Sequence, residues 1–383
     1  MSVTAAKGFH ASGVAAGLKS SGKLDVCLIV NAGPKQTAIG VVTGNRIKAA
    51  PVVWTQQVLK DGELHAVAAN SGGANACTGP EGFADTHRTA EHVAKLLSCG
   101  AGDIAVLSTG LIGERLPMDK LLPGFDAAFA GLSEDGGDQA AQAIMTTDTV
   151  PKTAVFEAEK FTVGGMAKGA AMLAPGLATM LCTITTDAEL ESHVAGLALK
   201  AAVRRTFERV DSDGCMSTND AVLVLASGAS GYAPTGHEFS RALQHVCASL
   251  CRQLVADAEG ASKDIKIEVT SASTEAEATT VGRAVSRSNL FKCAIHGEDP
   301  NWGRILAAVG TTDAEFKPDE ISVAINGVWV CKDGAAGEDR TLVDMSGREV
   351  TVSVDLNAGH SSSTIWTNDL TAEYVHENSA YST

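Results

Sequence analysis

The chain has 383 residues, 45% hydrophobic yet only 4% aromatic, with 39 glycines and a formal charge of −15 at pH 7. That length can bury a substantial core in one large unit or two lobes. The acidic balance, with no clustering of Lys and Arg, excludes a nucleic-acid surface. No run approaches the roughly 20 apolar residues of a membrane span, and residues 1–7 carry no charged head followed by an apolar stretch, so a cytoplasmic protein without a membrane partner is expected.

The first half reads as strands joined by Gly-rich turns. Residues 24–30 and 38–42 are short, β-branched-rich runs separated by Asn31-Ala32-Gly33-Pro34. Ala90, Val93, Ala94 and Leu97 recur at helical spacing over 85–97, and Gly100 supplies the stop. The apolar strand 104–107 then delivers the chain to Ser108-Thr109-Gly110. In the second half Val194, Leu197, Ala198, Ala201 and Phe207 predict a helix over 190–210, ended by Asp211-Ser212-Asp213-Gly214. Residues 221–225 form a continuous apolar run that suits a strand covered on both faces. A second helix is predicted over 239–255, followed by a strand alternating with period two over 265–269. Residues 321–330 carry Asn326-Gly327 at their centre, a hairpin signal, and strands over 350–356 and 363–367 complete the tail. Mixed strands and long helices without strict alternation predict an α/β (α+β layered) fold with helices outside the sheets.

Nine cysteines are scattered without a Cys-x-x-Cys pair, so neither a zinc site nor a disulfide framework is indicated. Cys247 and Cys251 stand one helical turn apart, where buried thiols are expected. Arg204-Arg205 reads as the solvated side of a helix. The histidines, including His87, His193, His237, His245, His296, His360 and His376, form no Ser-His-Asp or His-x-x-x-His pattern.

The chemistry concentrates on three segments. In Gly176-Leu177-Ala178-Thr179-Met180-Leu181, small residues permit a bend ahead of a threonine. If the backbone is cut between Ala178 and Thr179, one residue holds a hydroxyl nucleophile and a free α-amine of pKa about 7.7–8.0 as its base. By itself Thr179 reads first as a β-branched residue entering a buried strand, and other segments must change that reading. Thr109-Gly110 follows a strand, and such a turn exposes backbone N–H groups to an oxyanion. Gly164-Gly165-Met166-Ala167-Lys168-Gly169 lacks the spacing of a phosphate loop, so a lysine pairing with one carboxylate is the better reading beside an ordinary surface turn.

Several runs together resemble the glutamate N-acetyltransferases, also called ornithine acetyltransferases. They are Asn70-Ser71-Gly72-Gly73-Ala74-Asn75-Ala76-Cys77-Thr78-Gly79, Ser108-Thr109-Gly110-Leu111-Ile112-Gly113 and Met145-Thr146-Thr147-Asp148-Thr149 in the first half. Downstream come Gly164-Gly165-Met166-Ala167-Lys168-Gly169, Ala178-Thr179-Met180-Leu181 and Asp299-Pro300-Asn301-Trp302-Gly303-Arg304, and the likeness extends from Gly8-Phe9 to Tyr374-Val375-His376-Glu377-Asn378.

The resemblance implies a precursor that cuts itself before Thr179 into an α chain (1–178) and a β chain (179–383), which remain together as a heterotetramer of two αβ units. It implies a two-lobed fold with the active-site cleft between lobes. It further implies that Thr179 is the nucleophile, that Thr109 and Gly110 form the oxyanion hole, and that Thr146, Lys168, Thr179, Glu259, Asn378 and Thr383 bind substrate. Lys168 takes an α-carboxylate and Glu259 a substrate amino group. At the C-terminus Asn378-Ser379-Ala380-Tyr381-Ser382-Thr383 departs from the family's Asn-Ala-x-Tyr, which loosens the match at Thr383. The implied substrates are N2-acetyl-L-ornithine and L-glutamate, with no metal or organic cofactor, and acetyl-CoA as a second donor is left open. An N-terminal-nucleophile hydrolase or aminopeptidase of related fold, and an uncut amino-acid-binding protein, are the alternatives.

Overall fold

The computed structural model describes residues 2–174 and 180–380. Within them the chain packs as two compact units. The first takes the residues up to Glu208 together with Cys215–Asp257, and the second takes Arg209–Gly214 and the residues from Ala258 onward. This division differs from the one at the implied cut, because residues beyond position 179 continue sheets begun upstream of it.

In chain order the first unit comprises β1 (Phe9–Val14), β2 (Val26–Asn31), β3 (Thr37–Val42), α1 (Ala50–Val58), β4 (Ala66–Asn70), α2 (Gly79–Leu97), β5 (Ile104–Ser108), α3 (Met118–Ala130), α4 (Gly137–Ala143), β6 (Lys152–Glu157), β7 (Thr162–Lys168), β8 (Leu181–Thr186), α5 (Ser192–Arg205), β9 (Ala221–Ala226) and α6 (Gly236–Ala256). One sheet has the order β1-β2-β4-β5 and the other β3-β9-β8-β7-β6. Their inner strands β2, β4, β7, β8 and β9, together with β5, are buried on both faces, and period two sorts the side chains. Cys27 and Ile29 join Val67, Leu107, Met166, Leu223 and Leu225 in a core shared by the two sheets. Val26, Leu28 and Val30 face the opposite way, against Val93 of α2 and Phe125 of α3. Each such side chain contributes about 1.5–3 kcal/mol when fully buried. Helices α5 and α6 pack against each other and cover the second sheet. The layers therefore run helix, sheet, sheet, helix, the α/β layering expected.

Boundaries moved where local chemistry decided them. The helix expected over 85–97 begins at Gly79, because Pro80 and Glu81 suit its first turn. The helix expected over 190–210 stops at Arg205: Thr206 leaves helical geometry (φ −127°, ψ −88°), and its hydroxyl donates back to the Ala202 carbonyl at 2.8 Å. Cys247 and Cys251 are buried on α6, as their spacing predicts.

The second unit comprises β10 (Asp264–Ala272), α7 (Glu275–Ser286), α8 (Asn289–His296), α9 (Trp302–Val309), β11 (Ser322–Ile325), β12 (Val328–Lys332), β13 (Ala335–Ala336), β14 (Glu349–Asp355), β15 (Ser361–Asn368) and α10 (Ala372–Ala380). Its sheet runs β13-β12-β11-β14-β10-β15, with β10 and β14 parallel. Ile265, Ile267 and Val269 of β10 enter a core with Val352 of β14, Val281 of α7 and Ile305 of α9. Lys266 and Glu268 face the other side and pair at 2.5 Å. Asn326 (φ +46°) and Gly327 (φ +85°) form the tight turn between β11 and β12 that their sequence predicts.

Candidate active site

The parallel pair β4 and β5 sets Asn70 opposite Ser108, and Asn70 Nδ2 donates to Ser108 Oγ at 2.7 Å. Beyond Ser108 the chain turns. The Thr109 N–H donates to the Asn70 carbonyl at 3.0 Å, and the Thr109 carbonyl accepts from the Gly73 N–H at 3.0 Å. With its amide committed to the turn, Thr109 has its side-chain hydroxyl to present. Gly110 adopts φ +129°, and a Cβ there would stand 2.8 Å from the Gly73 nitrogen, so this position requires glycine. The Gly110 N–H has no hydrogen-bond partner among the described residues. The corner thus offers one hydroxyl and one N–H, where the sequence reading expected two backbone donors.

Lys168 ends β7 and is 3% exposed, with Nζ 3.4 Å from Thr109 Oγ1. It lies in a strand and not in a surface turn, and it pairs across the ladder with Leu181 at the start of β8. Asp148 organises the adjoining loops. Its Oδ2 accepts from the Thr146 N–H at 3.0 Å, and its Oδ1 accepts from the Gly169 N–H at 2.7 Å and from Lys152 Nζ at 2.6 Å. Lys152, fully buried, also donates to Asp257 Oδ2 at 2.5 Å. Burial pushes the Asp148 carboxyl up, but the Lys168 and Lys152 ammoniums and the Gly169 N–H outweigh it and hold the group at about 2. Lys19 donates to the carbonyls of Met145 at 2.7 Å and Leu24 at 2.9 Å. Burial, opposed by Asp25 and reinforced by Lys168, brings its ammonium down to about 8. A cavity of about 480 Å³ opens beside these groups, lined by Lys19, Lys23, Met145, Thr146, Asp148 and Pro151.

Thr109, Gly110, Lys168 and Thr146 are therefore all in the first unit, tied through Asp148 and Lys168. Glu259 and Asn378 are brought together in the second, where Asn378 Nδ2 donates to Glu259 Oε2 at 3.0 Å. Glu259 Oε1 is buried without a partner among the described residues. Helix α10 reaches this position because Gly260 lets the Tyr374 backbone approach: a Cβ at 260 would stand 2.3 Å from Tyr374 N. Ala178, Thr179 and Thr383 lie outside the described residues.

A profile of the ArgJ family matches residues 10–383. The chain belongs to the ArgJ family. It is similar to the arginine biosynthesis bifunctional protein ArgJ of Streptomyces coelicolor, 66% identical over 382 residues and 100% of both chains. The Thermobifida fusca protein of the same name is 61% identical over 383 residues, again with 100% of both chains covered. The solved ornithine acetyltransferase of Mycobacterium tuberculosis, complexed with ornithine, is 58% identical over 47% of this chain and 96% of its own, with a TM-score of 0.45.

In this ArgJ-family chain one rival constellation needed the fold to become visible. Ser262, His296 and Asp369 meet in the second unit, with His296 Nδ1 2.9 Å from Asp369 Oδ2 and 3.3 Å from Ser262 Oγ, although no such trio is legible in the sequence. Both partners approach the same ring nitrogen, and Ser262 Oγ donates straight to Asp369 at 2.5 Å. A nucleophile relay needs opposite ring nitrogens on the two partners, so the geometry does not make a triad. Sequence reasoning also missed Asp148, Lys152 and Asp257. Asp148 stood inside a quoted motif, but an acid among threonines reads as an N-cap until burial and two lysines are seen around it.

Proposed function

We propose that the chain transfers an acetyl group from N2-acetyl-L-ornithine to L-glutamate through an acetyl ester on Thr179, as a step of arginine biosynthesis. The observation that carries this reading is the buried Lys168 ammonium at the end of β7, 3.4 Å from the Thr109 hydroxyl and beside the strand that begins two residues after position 179. Family membership supports it.

Maturation begins when Thr179 Oγ1 attacks the Ala178 carbonyl carbon. The C–N bond breaks as the ester forms, and water then cleaves the ester to leave a carboxylate on Ala178 and a free amine on Thr179. In the transfer, Thr179 Oγ1 attacks the acetyl carbonyl and its proton passes to the Thr179 amine. The Thr109 hydroxyl and the Gly110 N–H hold the oxyanion. As the amide C–N bond breaks, the amine returns the proton to the ornithine nitrogen. L-Glutamate then attacks the acetyl ester by the reverse path and leaves as N-acetyl-L-glutamate. Lys168 takes the α-carboxylate of the amino acid, Thr146 bonds a substrate amide or carboxylate, Glu259 takes a substrate amino group, and Asn378 and Thr383 contact substrate. The α chain (1–178) and β chain (179–383) form a heterotetramer of two αβ units in the cytoplasm.

The test incubates purified protein with acetylornithine and glutamate, with and without acetyl-CoA, and follows ornithine and N-acetylglutamate. Equal release of both products, dependent on glutamate, is expected. Free acetate released at the same rate without glutamate would overturn transfer in favour of hydrolysis, and the acetyl-CoA arm decides the second donor.

A further inference from the structure

Two consecutive residues ahead of β9 tie the corner to the segment that follows the implied cut. Asn219 Nδ2 donates to the Ser108 carbonyl at 2.8 Å and the Ala74 carbonyl at 2.6 Å. The Ser108 carbonyl belongs to the peptide whose nitrogen is that of Thr109, so Asn219 holds the strand end carrying the oxyanion donors. Next to it, Asp220 Oδ1 accepts from the Met180 N–H at 3.0 Å. That nitrogen is bonded to the Thr179 carbonyl carbon. The neighbouring Ala221 N–H donates to the Met180 carbonyl at 3.0 Å, so residue 180 is gripped from both sides.

Asp220 is fully buried, and its Oδ2 has no hydrogen-bond partner among the described residues. A buried acceptor on that amide fixes the orientation of the Met180 N–H, the first described group after the implied cut. We propose that Asp220 is a positioning residue of the acyl-transfer centre, acting through the Met180 N–H to orient the amine and hydroxyl of Thr179 relative to the corner that Asn219 holds. This inference rests on the acyl-transfer reading above.

The surroundings favour an uncharged acid. Asp220 is faced by the Met180 N–H ahead of β8, by the Ser217 hydroxyl, by the Thr43 hydroxyl just after β3, and by the Lys168 ammonium of β7. Burial outweighs all of these and pushes the carboxyl well above its ordinary value. A charged carboxylate on the Met180 N–H would favour the protonated form of the amine one residue upstream, whereas that amine must be neutral to accept the hydroxyl proton. A neutral acid orients the residue without disabling its base.

Wild type, Asp220→Asn and Asp220→Leu are compared for self-cleavage on a denaturing gel, for kcat and KM of acetyl transfer, and for the pH profile of kcat/KM. Asn keeps both the shape and the acceptor, so cleavage, a kcat within about threefold of wild type and an unmoved pH midpoint are expected. Leu keeps the volume without the acceptor, so kcat is expected to fall about tenfold or more, with KM unchanged. Asn as impaired as Leu, or Leu as active as wild type, would overturn the proposal. Should Leu not fold, Asn decides it alone, since a displaced pH midpoint in that variant has the same overturning force. A wild type that does not transfer acetyl sinks the acyl-transfer reading itself, and an active wild type with any contrary variant sinks only the role of Asp220.

Discussion

Thr109 illustrates how a residue's identity and its useful atom are separate questions. Its amide is consumed by Asn70, so its worth to an oxyanion rests on Oγ1. Thr109→Val keeps the β-branched shape and removes that donor. Steady-state kinetics should show kcat lower by about 10²–10³, with KM near wild type, because one oxyanion donor acts chiefly in the transition state. Asp148 makes a different prediction. Its folded value of about 2 lies below the ordinary 3.8, so its stabilisation is complete above that ordinary value and is lost as pH falls toward 2. That stabilisation is about 2 kcal/mol. Acid unfolding of wild type and Asp148→Asn should therefore show a stability gap at neutral pH that closes over that window, and a gap independent of pH would contradict the assignment.

At the scale of elements, periodicity found the long helices and the alternating strands, while chemistry at their ends set the limits. Helix α6 starts at Gly236, three residues before its first buried apolar side chain, because Thr235 Oγ1 accepts from the Glu238 N–H at 3.2 Å while Glu238 Oε2 accepts from the Thr235 N–H at 2.8 Å. Thr235→Ala should lower the unfolding free energy by about 1 kcal/mol in a denaturant titration while leaving acetyl transfer intact. Strand β7 went unrecognised for a converse reason. Gly164-Gly165 reads as a turn in sequence, yet both lie in a buried strand, and a Cβ at Gly164 would stand 2.2 Å from the Ser2 carbonyl oxygen. The glycines serve close packing of other chain segments, which no local pattern reveals.

On the scale of the whole molecule, the implied cut falls, along the sequence, between two strands that pair in one sheet. Strand β7 pairs along its length with β8, and β3 with β9, so ladders of six register pairs each join residues on opposite sides of position 179. Cleavage should therefore leave two chains that co-purify under native conditions and separate only in denaturant. Thr179→Ala should give one uncut, inactive chain of full length, read by intact mass, and a normally cut variant would refute self-processing by that hydroxyl.

The chain's motifs in their order were enough to indicate the family, the layered α/β class and the residues to watch, because side-chain type and spacing are local properties. Periodicity was likewise enough for Cys247 and Cys251 to be placed on one buried face and for Asn326-Gly327 to turn a hairpin. Tertiary structure alone decided which atom of Thr109 is available, and it alone gathered Asp148, Lys152 and Asp257 around Lys168 and Thr146 and set Asp220 on the Met180 N–H. Most of those relations join residues twenty or more positions apart, through burial, ion pairs and backbone hydrogen bonds. The energy of a buried charge depends on what surrounds it in space, which spacing along a chain does not specify.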